Sequence, residues 1–235
     1  MTENHPQDGR AGASLETGVQ DVARALRLGS AQQRLQAAMT IGTHADPDHL
    51  DVLIERSRTE PDFFVRDMLT WALTRLPADL VVPRLLAELE SDSVQAQSQA
   101  LHSLSKIGDP RGWVALDPSV SGLRFIAHAD AEAARSAWRA AVRLVPGDRH
   151  RDLASSLVTQ LGRGDVEMQK SLSRALVALG DEVVSVVDGR VGAEEETVRT
   201  HALATVAMFH DPDAGFAHAM DEAKRVVALG SEASA

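Results

Sequence analysis

The chain is written in copies of itself. A unit beginning "VRDMLTWALTRLP" at Val65 returns as "VRTHALATVAMFHDP" at Val198, and weaker copies begin at Arg34, Ala96, Ala134 and Met168. A unit of roughly 30 to 40 residues cannot bury its apolar face alone, so successive copies must stack on one another. The fifth residue of each copy is Ala38, Leu69, Ala100, Trp138, Leu172 or Ala202, and the eighth is Ile41, Ala72, Ser103, Ala141, Ala175 or Thr205. The ninth (Gly42, Leu73, Leu104, Val142, Leu176, Val206) and the twelfth (Ala45, Leu76, Ile107, Val145, Leu179, Phe209) complete steps of three and four. Steps of that kind lie on one face of an α-helix. Small residues recur on the face, which lets a neighbouring helix come close.

Every copy then meets a breaker: "ADPD", "PAD", "GDPRG", "PGD", "GDE" or "HDPD". Gly and Pro end the first helix, while Asp caps the next and Pro suits its first turn. Second helices follow as "DHLDVLIERS", "DLVVPRLLAELE", "DRHRDLASSLVTQL", "EVVSVVDGRV" and "DAGFAHAMDEAKRVVAL". In the third copy "ALDPSVSGLRFIAHADAE" replaces a clean second helix, and residues 117–130 read as an insertion loop around Pro118 and Gly122. Helix, tight turn and helix, repeated, predict an all-α chain: a right-handed α-solenoid, or superhelix, of about six helical-hairpin repeats. The repeats start near residues 31, 62, 93, 130, 165 and 195, in a single domain over 14–230. Residues 1–13 are expected to be a disordered tail, 14–29 a capping helix, and 231–235 a second tail.

Composition narrows the function. There is no cysteine, which excludes disulfides, thiolate metal sites and cysteine nucleophiles. Aromatics are 3% of the chain and tyrosine is absent, poor material for a ligand pocket or a base-stacking surface. A net charge of −10 argues against a nucleic-acid partner, whose affinity rests on a basic footprint. No run approaches the roughly 18 apolar residues of a membrane span, and no apolar leader stands at the N-terminus, so a cytoplasmic location is expected.

The pattern Val-Arg, small residues, Leu, Gly-Asp-Pro, carried by "VRDMLTWALTRLP", "AQSQALHSLSKIGDP", "MQKSLSRALVALGD" and "VRTHALATVAMFHDP", resembles HEAT repeats. It is most similar to the short HEAT-like subtype first noticed in phycobilisome lyases, over roughly residues 31–229. The resemblance implies the solenoid fold and a bacterial, free-standing protein. The bilin chemistry of the lyases is not carried over, because so few aromatics are present. In HEAT-like arrays the second position of a copy pairs with groups of the neighbouring repeat, which makes Arg66, Arg135 and Arg199 structural rungs between repeats.

Two enzyme families on HEAT-like scaffolds bear on the remaining residues. Alkylpurine DNA glycosylases use tryptophans and an aspartate on a basic concave surface. Here Trp71, Trp113 and Trp138 fall at different repeat positions, with Trp113 in a second helix, and packing is the favoured account of them. A HEAT-repeat hydroxylase family holds two irons with His-Glu pairs, whereas none of the nine histidines here is followed by glutamate. His201, His210, Asp211 and His218 form the nearest cluster, and His210 stands where glycines turn other copies. No catalytic, cofactor or metal residue is therefore assigned.

What remains is a surface. Phe63, Phe64 and Trp71 are peculiar to their copy, and Asp51, Glu55, Arg56, Arg84 and Glu88 lie on the second helices that line the concave face in this fold. The expectation is a non-enzymatic scaffold or regulatory adaptor, compatible with a monomer, that holds a protein or peptide partner on that face. The alternative is an alkylpurine glycosylase-type base-excision enzyme.

Overall fold

The computed structural model describes residues 20–211 and 215–232, with side chains as far as Leu229. The expected N-terminal tail, residues 14–19 of the expected capping helix, the turn at 212–214 and residues 233–235 lie outside the described residues, while the last helix runs on through 231 and 232, the first two residues of the expected second tail. No strand occurs among the described residues, and helix follows helix throughout, so the all-α, repeat-built fold is as the sequence predicts. The chain divides into two compact units, one ending at Ile107 and the other beginning at Gly108.

In the first unit a helix over residues 20–28 (α1) precedes α2 (Ala31–His44), α3 (Leu50–Ser57), α4 (Phe63–Arg75), α5 (Ala78–Glu88) and α6 (Val94–Ile107). Sequence chemistry sets the boundaries. Ser30 caps α2 in a reciprocal box with Gln33, and the Asp62 carboxylate accepts the Phe64 and Val65 N–H groups at the head of α4. The first helices α2, α4 and α6 pack side by side, with α3 against α4 and α5 against α6. Ala38, Ile41, Leu69, Ala72, Leu73, Ala100 and Leu104, all register-matched positions, are buried there.

The second unit runs through α7 (Leu123–Ile126), α8 (Ala131–Leu144), α9 (His150–Leu157), α10 (Val166–Val177), α11 (Val184–Asp188), α12 (Glu196–His210) and α13 (Gly215–Glu232). Here α8, α10 and α12 lie side by side, α9 and α11 cover them, and α13 closes on α12. Gly180, at φ +92°, turns the chain out of α10, a conformation that L side chains resist. Short 3₁₀ turns open the second helices at Gly147–Arg149 and Asp181–Val183.

Two expectations need correcting. Trp113 does not sit in a second helix: "PRGWVA" forms the 3₁₀ turn Pro110–Ala115, because the Asp109 carboxylate caps Arg111 and Gly112 weakens any helix there. The stretch 117–130 is also no bare loop. Leu116, Phe125 and Ile126 are fully buried, and the buried Trp138 indole donates to the Ile126 carbonyl at 2.9 Å. Arg163 donates to the His128 and Ala129 carbonyls, fixing the far end.

Inside this unit a neutral polar chain joins two helices and a turn. The fully buried His201 accepts the Gly162 N–H at Nδ1 (3.0 Å), which puts the ring proton on Nε2, where the Gln169 carbonyl and Ser173 Oγ each lie 3.0 Å away. Ser173 reaches Thr205 at 2.7 Å, and the Phe216 ring closes edge-on over the imidazole. Burial pushes the His201 pKa down to about 4, against a smaller upward pull from the Gln169 carbonyl. The unfolded chain therefore binds a proton near pH 6.5 that the folded chain refuses until about pH 4. Stability from this site is complete above pH 6.5 and falls as the pH drops toward 4, by about 3 kcal/mol in all. Urea unfolding at pH 7 and pH 5 should show the loss, and His201→Gln should flatten the slope across that window.

Candidate functional site

The residues singled out from the sequence fall into three environments. Arg66 and Arg199 act on backbone. Arg66 Nη1 donates to the Glu60 and Pro61 carbonyls (3.1 and 2.8 Å), and Arg199 Nη1 to the Ala193 and Glu194 carbonyls (2.8 and 3.4 Å). Gln97 and Gln169, at the same position in their copies, reach back in the same way to Ser91 and to Gly162 and Gly164. Each ties its own helix to the segment linking it to the copy before. Arg135 departs from this and pairs with Glu132 on its own helix at 2.5 Å.

The charged set on the second helices is not an open surface. Glu88 is buried, and Arg58 grips its carboxylate with two hydrogen bonds of 2.5 Å. Arg56 is turned inward onto Glu60 at 2.6 Å. Both corrections have one cause: the partner sits on a neighbouring segment, and pairing there satisfies a charge that would otherwise face water. Asp51 stays exposed beside Arg84, and Glu55 beside Arg27 at 3.0 Å. Exposed pairs of this kind contribute little, roughly 0 to 1 kcal/mol.

Arg34 and Glu60 were not singled out by sequence, yet they form the most constrained site in the first unit. The Glu60 side chain is wholly buried. Its carboxylate takes Arg34 Nε and Nη2 at 2.6 and 2.7 Å, Arg56 Nε at 2.6 Å and the Asp62 N–H at 2.9 Å. Arg34 also donates to the Gly29 carbonyl, and Gln95 reaches the Ser57 and Glu60 carbonyls from α6. Burial alone would raise the Glu60 pKa, but the two guanidinium groups and the Asp62 N–H outweigh it and hold it at about 2. One signal could have found the site: Arg34 is the charged residue at a first position that is Val, Ala, Ala, Met and Val in the other copies.

The aromatic residues of α4 are the exposed feature. Phe63 is 65% exposed, Phe64 71% and Trp71 39%. The two phenylalanines meet edge to face at 5.6 Å, and the Arg66 guanidinium stands 6.0 Å from the Phe63 ring. Trp71 lies across α2 in the space left by Gly42, where a Cβ would come within 2.3 Å of the indole. Phe64 and Trp71 are seven residues apart, two turns of one helix, and so share a face.

Of the other tryptophans, Trp138 is buried, and Trp113 is half-buried beside Asp117. The Asp117 carboxylate accepts Ser119 Oγ and N–H (2.6 and 2.9 Å), Arg149 Nη2 (3.2 Å) and the Trp113 side chain. The Ser119 hydroxyl and N–H bonds hold its pKa below the usual carboxylate value. No three His, Asp or Glu side chains converge as a metal site among the described residues. Among them, too, no helix is long and apolar enough to cross a membrane.

No family model matches the chain, and no curated protein matches it. Solved structures similar in fold include two engineered proteins, at 18% and 15% identity and TM-scores of 0.46 and 0.45, covering 82% and 80% of this chain and 96% and 97% of theirs. They also include human deoxyhypusine hydroxylase in complex with glycerol, at 16% identity and a TM-score of 0.46, covering 93% of this chain and 99% of that one. The expectation that the chain is not an enzyme is corrected on this finding: a hydroxylase stands among the structures it resembles, so that exclusion is withdrawn.

Replacing Glu60 tests the buried site. Glu60→Gln leaves Arg34 and Arg56 facing a neutral group in the interior and should cost about 3 to 5 kcal/mol in urea unfolding. In the parent chain this stability is present above pH 4.5 and is lost as the pH falls toward 2, so acid unfolding of the variant should lack that component.

Proposed function

We propose that the chain is a HEAT-type repeat module of the cytoplasm that binds a partner protein through the aromatic face of α4. The observation that carries this is the exposure of Phe63 and Phe64, at 65% and 71%, in a chain with only 3% aromatics. Burying either ring inside the fold would contribute about 2 to 3 kcal/mol, and here that burial is left unmade. Exposed aromatic side chains grouped on one helix face are the anchors that interfaces use. Trp71 adds a third ring on the same face, held in place by its seat over Gly42. HEAT repeats fit the role, because stacked hairpins present long helical surfaces.

A photo-crosslinking side chain at Phe64, activated in native extract, tests this directly. A discrete crosslinked protein is expected, competed away by unlabelled parent chain but not by the Phe63→Ser/Phe64→Ser variant. Both rings face water, so the variant should keep its melting temperature. Crosslinks that both competitors remove equally would sink the proposal.

A second reading, base excision from alkylated DNA, is favoured by one observation. Asp117 stands beside Trp113 with Arg149 on the same carboxylate, an aspartate and a tryptophan of the kind glycosylases on this type of scaffold use. Duplex DNA carrying alkylated purines should then lose bases to the parent chain and not to Asp117→Asn, with near-UV circular dichroism confirming that the variant is folded. No release by the parent chain removes this reading.

A further inference from the structure

A cleft of about 550 Å³ opens between α8 and α10 in the second unit. Arg139 and Arg143 enter it from α8 and Arg174 from α10, over a floor that includes Ser171, Ala175 and Ala178. Arg143 is seated by packing: its guanidinium covers Gly108, where an added Cβ would lie 3.2 Å from Nη2. Arg139 is only loosely engaged, 3.4 Å from Glu132 and 3.3 Å from Ser136 Oγ. Arg143 and Arg174 make no ion pair among the described residues, although the chain carries ten more acidic than basic groups.

Arg143 and Arg174 do lie in the last turns of their helices, where a cation complements the helix dipole. That explains the sign of each charge. It leaves unexplained why arginines from two helices border one cleft. The equivalent groove between α2 and α4 shows the alternative, since there Trp71, seventh in its copy as Arg174 is in its own, fills the space over Gly42.

We propose that this cleft binds a small polyphosphate-bearing anion through Arg139, Arg143 and Arg174. Guanidinium forks match phosphate oxygens in pairs, and three of them neutralise a multiply charged group. The volume lies in the range of small-molecule sites, and no aromatic ring lines it, so the charged group is what is recognised. A cleft of this size holds a compact anion rather than a long polyanion.

Calorimetric titration of the full chain with inorganic tripolyphosphate tests the site. One saturable event that weakens with added salt is expected. The Arg143→Gln/Arg174→Gln variant should weaken it about tenfold or more, a change of at least about 1.4 kcal/mol. Ser171→Trp, which fills the cleft and keeps all three arginines, should abolish it, while Arg225→Gln, outside the cleft, should leave it unchanged. Absence of saturable binding at low salt would overturn the proposal, as would equal binding by the arginine double variant. Binding of duplex DNA or a hexaglutamate peptide in place of tripolyphosphate would overturn the small-ligand class.

Discussion

Small side chains on the inner face of the first helices govern this structure. Ala38, Ala72, Ala100, Ala141, Ala175 and Ala202 are all buried at that face, and they let backbones approach where larger residues would hold them apart. Close approach fixes the depth of the groove that remains above each contact. What then stands on the two rims decides its character. Between α2 and α4 a tryptophan seals the groove over a glycine; between α8 and α10 arginines stand over alanine and serine, and it stays open. One packing rule yields an aromatic ridge in one unit and a cationic cleft in the other.

The polar interiors answer the same need by different chemistry. Linking segments carry backbone groups that helices cannot satisfy, and side chains must reach them. In the first unit an ionised carboxylate with two arginines gathers α2, α3 and the 58–62 link, whereas in the second a neutral imidazole with two hydroxyls gathers α10, α12 and the 162–164 turn. Arg66, Gln97, Gln169 and Arg199 repeat a simpler version at the start of their helices. Ionic and neutral solutions both work because both carboxylate oxygens of Glu60 and both ring nitrogens of His201 meet partners.

Much of the fold was legible because apolar spacing of three and four survives changes of side chain. Leu69, Ala72 and Leu73 announce α4 as clearly as Leu172, Ala175 and Leu176 announce α10. Charge was legible only in part. Asp51 and Glu88 look alike in the sequence, each an acid on a second helix, and one lies in water while the other is closed in by Arg58. The difference is made by a residue 30 positions away, which local pattern does not reach. Glu60, in a link, was missed and Trp113, in a 3₁₀ turn, was misplaced for a related reason: neither lies on a periodic face. The exposed aromatics were visible as residues no other copy repeats, while the arginine cleft depends on two helices meeting and has no signature in either alone.

The Arg34–Glu60 clamp also bears on how such a chain can change over generations. Tethers like that of Arg199 are contained within one copy and its own link, so a duplicated or deleted copy carries its fastening with it. The clamp is different, because its acid lies in one link and one of its bases in the helix of the preceding copy. A recombination event falling between them would strand a buried charge. Copy number can therefore change freely only at joints fastened as Arg199 fastens its own, while joints crossed by bonds such as Arg34–Glu60, Arg58–Glu88 or Gly162–His201 must be inherited with both partners.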